Sequence, residues 1–144
     1  MKIIQVVGRS NSGKTTFIKQ LVPKLKTLGP VAVIKHLGDH EFELEEGKDT
    51  TGFFDTGADI SVGIDAHKSL VAIRSNSLES TLQILFDQGM NFTIIEGFKQ
   101  IAFPRIVIGD LKTDQCVLTN PCPDEVIKSL DAFEDFCPNS SRRE

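Results

Sequence analysis

The chain contains no tryptophan and no tyrosine, so ten phenylalanines supply all its aromatic bulk and intrinsic fluorescence cannot report ligand binding. Cysteine is scarce. Cys116, Cys122 and Cys137 form an odd set without Cys-x-x-Cys spacing. This excludes a disulfide framework and a thiolate zinc cage, and predicts reduced, structural thiols, with Cys116 inside a buried strand. No apolar run approaches the roughly 18–20 residues of a bilayer crossing. The apolar stretch at residues 2–7 is too short for a secretory signal. No internal repeat is visible.

What remains is the composition of an ordinary soluble domain: 144 residues, 40% apolar and 25% charged. The expectation is one cytoplasmic domain over residues 1–138 with a flexible tail at 139–144. A net charge of −4 argues against nucleic acid as a partner. The charge is unevenly placed. Residues 1–29 carry six bases and no acid, whereas residues 30–59 carry two bases and eight acids. A basic segment followed by an acidic one fits an anion site beside a cation site, or two unrelated solvated faces.

Hydrophobic patterning predicts alternating strands and helices. Residues 2–7 read as a buried strand, followed by a helical stripe of Phe17, Ile18, Leu21, Val22, Leu25 and Leu28, interrupted by Pro23 and stopped by Gly29-Pro30. Residues 31–35 read as a second buried strand. After an acidic loop, Asp49 or Thr50 caps a short helix reaching about Thr56. Residues 60–64 and 69–74 flank Asp65-Ala66-His67-Lys68 as a hairpin, which either extends the sheet or protrudes toward a partner. Ser77 caps a helix ending at Gly89. Residues 92–95 form a strand ending at Glu96-Gly97, strands follow at 105–108 and 116–118, and a last helix runs from Pro123-Asp124 to about Phe136. The fold class is α/β: a three-layer P-loop NTPase-like fold with a mostly parallel central sheet and a β-hairpin extension.

Gly8-x4-Gly13-Lys14-Thr15 matches the phosphate-loop pattern in full, with a strand before it and a helix after it. Small residues at Gly8, Ser10, Ser12 and Gly13 let backbone N–H groups surround phosphate oxygens. The helix start adds a positive dipole end. Lys14 reaches the terminal phosphates and Thr15 ligates Mg²⁺. Arg9, Asn11 and Thr16 complete the set of loop residues facing a nucleotide. A second acid must hold the metal: Glu96, at the end of an apolar strand, directly or through water, with Asp49 as a further candidate that could equally cap its own helix. Ligands collect at the carboxyl ends of strands in open α/β sheets, which gathers Thr15, Lys35, His36, Asp49 and Glu96 around one cleft.

Taken together, the phosphate loop, Val31-Ala32-Val33-Ile34-Lys35-His36, Gly47-Lys48-Asp49-Thr50, Gly57-Ala58 and Ile95-Glu96-Gly97-Phe98-Lys99 resemble the MobB-type molybdopterin-guanine dinucleotide biosynthesis proteins over roughly residues 1–108. The resemblance implies a homodimeric, Mg²⁺-dependent GTP-binding protein with weak GTPase activity. Such a protein assists the MobA-type guanylyltransferase that attaches GMP to molybdopterin, for a molybdenum or tungsten cofactor. Lys14, Glu96 and Asp49 become the residues of turnover, and Thr15, Asp49 and Glu96 the metal site. Lys35, His36 and Lys99 become cleft positions. The sequence departs from the family where a His pair is common after Lys-His: Leu37-Gly38-Asp39 intervenes and only His40 remains.

Other constellations are weaker. His36 and His40 stand four apart, but Gly38 makes a helical metal pair implausible. The Asn-Lys-x-Asp guanine signature is absent, leaving Asn120, and less readily Asp124, to meet the base at the end of the last strand. Two alternatives stay open: a small P-loop kinase acting on a metabolite, which would want an Arg-rich lid, and a metal-insertion accessory G protein, which would want a Cys/His motif. Neither feature is present. Slow turnover fits the absence of a water-orienting Gln and of an arginine finger beyond Arg9. The apolar hairpin at residues 60–74 is the expected dimer element.

Overall fold

A computed structural model describes residues 1–75 and 77–138; the tail expected at 139–144 lies outside the described residues. The chain divides into two compact units, one formed by Met1–His36 with the segment from Thr81 onward, the other by Leu37–Ser80.

The first unit is built on a five-stranded sheet of β1 (Lys2–Gly8), β2 (Val31–Lys35), β5 (Phe92–Glu96), β6 (Arg105–Ile108) and β7 (Cys116–Thr119), in the order β2-β5-β1-β6-β7. Every pairing in it is parallel. The all-parallel arrangement accounts for the near-continuous apolar runs of β1, β5 and β6, which are buried on both faces. The chain leaves β1, crosses to the edge as β2 and later returns as β5 and β6 on either side of β1. That reversal of strand order beside β1 is where an open α/β sheet leaves a crevice at its carboxyl ends.

One face of the sheet packs on α1 (Lys14–Lys26) and α4 (Pro123–Lys128). Phe17, Ile18, Leu21 and Leu25 of α1 meet Ile4, Val6, Ile94, Ile106 and Val126 in the core. Leu21 and Leu25 are fully buried, each stabilising by about 2 kcal/mol. The helix continues through Pro23 to Lys26, so the proline costs a hydrogen bond without ending the helix.

Three expectations about this unit need correction. β2 and β7 are edge strands, so they are half-exposed rather than buried, and Val33 stands 48% exposed. Cys116, on the β7 edge, is exposed, as are Cys122 and Cys137. The last helix stops at Lys128 and gives way to a single 3-10 turn at Leu130–Ala132.

The second unit holds α2 (Asp49–Asp55) and a hairpin of β3 (Ile60–Ile64) and β4 (Ser69–Ile73). The hairpin is a two-stranded antiparallel sheet of its own, so it does not extend the parallel sheet. Asp65 closes its turn by accepting from the backbone N–H groups of His67 and Lys68. The Ser61 hydroxyl donates to the Thr50 carbonyl, fastening α2 to β3. Lys48, with extended backbone, is the N-cap of α2, and Asp49 is the first helical residue, which corrects the expected cap. α3 (Leu78–Asp87) starts at Ser77, whose hydroxyl accepts from the Ser80 N–H as expected.

Candidate functional site

β1 ends at Gly8 against its neighbour β6. A Cβ on Gly8 would lie 2.3 Å from the Ile108 carbonyl oxygen and 2.6 Å from Ser12 Oγ, so no other residue fits where the loop folds back. The Ser12 N–H closes the turn onto the Arg9 carbonyl at 3.3 Å. Gly13 then enters α1 with φ 94° and brings no side chain to cap the first turn. A helix start without a side-chain cap presents its N–H groups to an anion. Ser12 Oγ is buried without a hydrogen-bond partner, a second unsatisfied polar atom facing the same loop.

Lys14 Nζ donates to the Arg9 carbonyl at 2.6 Å and lies 3.4 Å from that of Gly8, so its charge sits over the loop. Burial pushes the Lys14 ammonium below the ordinary lysine range. The Glu96 carboxylate opposes that shift, while the positive charges of Lys99 and Lys35 reinforce it. These four residues therefore share one electrostatic neighbourhood.

Glu96 ends β5, where parallel pairing sets it level with Val6 of β1 and Lys35 of β2. Its side chain is largely buried, and both carboxylate oxygens lie within reach of the Thr15 hydroxyl, which donates at 3.2 and 3.3 Å. Lys35 Nζ stands 3.7 Å from Glu96 Oε1. Cis oxygen ligands of an octahedral Mg²⁺ at about 2.1 Å stand about 3 Å apart, so this donor pair has the spacing and oxygen chemistry of a magnesium site.

After Glu96 the chain turns through Gly97 (φ 98°) and Phe98 (φ 51°). The His36 ring stacks on Phe98 with centroids 4.1 Å apart, and the His36 N–H donates to the Glu96 carbonyl at 2.9 Å. Lys14, Thr15, Lys35, His36, Glu96 and Lys99 are thus brought to one end of the parallel sheet. Asp49 belongs to the second unit, where it opens α2.

Some expected residues have other engagements. Arg9 pairs with Asp110 at 3.2 Å, with both side chains in solvent, an arrangement worth little to stability. Ser10, Asn11 and Thr16 are exposed on the loop and first turn, Asn11 with φ 59°. The Asn120 amide is clamped on Gly109, accepting from its N–H at 2.6 Å and donating to its carbonyl at 3.1 Å, which ties the ends of β6 and β7 together. Asp124 pairs with Lys24 at 2.9 Å, across α4 and α1. The N-cap of α4 is Cys122, whose N–H donates to Glu125 at 2.7 Å. Among the described residues no cluster of three or more His, Cys, Asp or Glu could hold a metal, and no helix is long and apolar enough to cross a membrane.

Two residues beneath the site were not anticipated. Gln5 interrupts an apolar strand and Arg105 opens one, and both are buried. A polar residue inside a run whose neighbours are core is the signal that could have found them.

The sequence model of MobB, molybdopterin guanine dinucleotide synthesis protein B, matches residues 3–129. The chain belongs to the MobB family. It is 38% identical over 117 residues to a Bacillus subtilis protein named as a probable molybdopterin-guanine dinucleotide biosynthesis adapter, covering 78% of this chain and 67% of that one. It is 34% identical over 112 residues to a Methanocaldococcus jannaschii protein named, in similarly guarded words, for the same role, covering 75% and 47%. A Haemophilus influenzae adapter protein of that name is 33% identical over 114 residues, covering 74% and 62%. The match therefore spans between about half and two thirds of these curated MobB relatives. The crystal structure of Bacillus subtilis MobB superposes with a TM-score of 0.70 at 24% identity, covering 93% of this chain and 99% of that one. The shared fold is the expected mostly parallel sheet with helices, and this chain also has a separate antiparallel hairpin.

Proposed function

We propose that this MobB-family chain is an adapter in molybdopterin-guanine dinucleotide biosynthesis that binds GTP with Mg²⁺ and hydrolyses it slowly. Its curated relatives are named as adapters of that pathway. The observation that carries the nucleotide part is the Thr15–Glu96 contact beside Lys14 and an uncapped helix start.

In this reading the backbone of Arg9–Gly13 and the start of α1 cradle the phosphates, and Lys14 supplies a point charge to the outer ones. Thr15 and Glu96 hold Mg²⁺, which when bound neutralises phosphate charge. Lys35, His36 and Lys99 line the cleft, and Asn120 would meet the base only by loosening its clamp on Gly109. The chain acts as a homodimer through its hairpin and delivers nucleotide to a guanylyltransferase that attaches GMP to molybdopterin. With no Gln or arginine finger assigned to orient water, turnover is slow.

The test is a competition titration of labelled nucleotide by GTP and ATP, each with and without Mg²⁺. Mg²⁺-dependent preference for GTP is expected. Preference for ATP, or fast turnover with a small acceptor, would replace the adapter reading with a kinase.

A further inference from the structure

Gln5 sits in the middle of β1, fully buried between Ile4 and Val6, where an apolar side chain would be the ordinary occupant. Its side-chain amide donates twice, to the carbonyls of Gly97 and Phe98, both at 2.8 Å. Its own oxygen is buried without a partner. Arg105 is its register neighbour on β6 and is only 3% exposed. The guanidinium donates to the carbonyls of Lys99 (3.3 Å), Ile101 (2.7 Å) and Phe103 (3.2 Å) and to the Thr113 hydroxyl (3.1 Å). Among the described residues no carboxylate pairs with this buried cation.

Side by side on adjacent strands, the two side chains hold five carbonyls of the segment from Gly97 to Phe103. That segment starts at the residue after Glu96 and carries Lys99. It also holds Phe98 in a left-handed conformation, which costs energy unless its surroundings enforce it. A buried amide with an unsatisfied oxygen and a buried unpaired guanidinium are both poor choices for stability alone. Their shared output is the position of one turn.

We propose that Gln5 and Arg105 are positioning residues for the nucleotide site, fixing the turn that sets Glu96 against Thr15 and Lys99 near the phosphate loop. Neither touches the ligand; each acts through backbone carbonyls. The proposal rests on the Mg²⁺-nucleotide reading above. Supporting shells of this kind typically change metal affinity by about 10-fold or more when removed.

The test uses Gln5→Met, which keeps length and loses both donors, and Arg105→Lys, which keeps charge and loses the planar fork. Thermal unfolding first establishes that each variant folds, so that one remains informative should the other fail. Binding of a labelled GTP analogue is then measured with and without Mg²⁺, alongside amide exchange of residues 97–103. The expected result is a loss of about 10-fold in the Mg²⁺-dependent gain in affinity, Mg²⁺-free affinity within about two-fold, and faster exchange in that segment. An unchanged Mg²⁺ gain despite faster exchange overturns the proposal, and so does an equal loss with and without Mg²⁺, which marks a purely structural role. No Mg²⁺ effect in the unsubstituted chain overturns the functional reading, and the proposal with it.

Discussion

His36 lies stacked on Phe98, with ring centroids 4.1 Å apart and planes 25° from parallel. This contact joins the residue after β2 to the turn after β5, the two strand ends that carry Lys35 and Glu96. Gly97, just before Phe98, has φ 98° and an imaginary Cβ 3.1 Å from His36 Cβ. A side chain there strains the backbone and pushes on the stack together. Gly97→Ala should therefore destabilise the chain by about 1–3 kcal/mol in urea unfolding and displace Glu96. Wild-type stability in that variant would show that the turn tolerates a side chain and leaves Glu96 loosely set.

Lys14 gives a pH prediction with two opposite signs. Phosphate binding needs the ammonium form, and burial has lowered the Lys14 pKa. Affinity for triphosphate should thus fall, as pH rises, earlier than an ordinary lysine would allow. Stability of the ligand-free chain moves the other way. In the window between the lowered folded value and the unfolded one, the unfolded state holds the extra proton, so Lys14 contributes stability that rises with pH. Lys14→Ala should abolish triphosphate binding with the fold intact, and Lys14→Arg should shift the alkaline fall in affinity upward, because guanidinium stays charged there. Undiminished binding by the alanine variant would remove Lys14 from the site.

Glu96 is reached by Thr15 at 3.2 and 3.3 Å and by Lys35 at 3.7 Å. A metal role and a purely structural role for this nearly buried acid differ in one measurement. Glu96→Ala should lose Mg²⁺-dependent GTP turnover by far more than it loses nucleotide binding. Parallel loss of both would make Glu96 a structural acid that only orders Thr15 and Lys35.

How far the sequence disclosed these relationships depended on whether the information was local. The phosphate loop is contiguous, and Glu96 follows four β5 residues that could only be buried, so both were legible. The pairing of β3 with β4 was legible too, because Asp65-Ala66-His67-Lys68 is a turn between two apolar runs. Whether that hairpin joined the main sheet was not, since a strand's pattern records one buried face and not its neighbour. Burial of β2 and Cys116 was overestimated because both lie on sheet edges, a property of strand order rather than of composition. The helix from Pro123 was expected to reach Phe136, but it breaks at Ser129, where the backbone leaves helical geometry. Gln5 and Arg105 were visible as polar residues in apolar company, but their partners lie some 90 positions away or in a turn without periodicity.

The hairpin carries the last prediction. Alternation along its strands puts Ile60, Val62 and Ile64 on one face, opposite Ile73 and Val71 in register. All five are exposed by between 37% and 79%, an apolar ladder that water leaves poorly solvated. A homodimer joined there buries each ladder against its copy and stays apolar at its centre. Val62→Lys places a charge in the middle of that contact twice, once per protomer, and each must be desolvated or displaced. A cost of only 1.4 kcal/mol already weakens association ten-fold, so sedimentation velocity should show the dimer shifting to monomer at concentrations where the unsubstituted chain is paired. Circular dichroism should stay unchanged, because Val62 points away from the Ser61–Thr50 contact that fastens the hairpin to α2. Persistence of the dimer would move the interface elsewhere, and a monomeric unsubstituted chain would leave the ladder free for another protein.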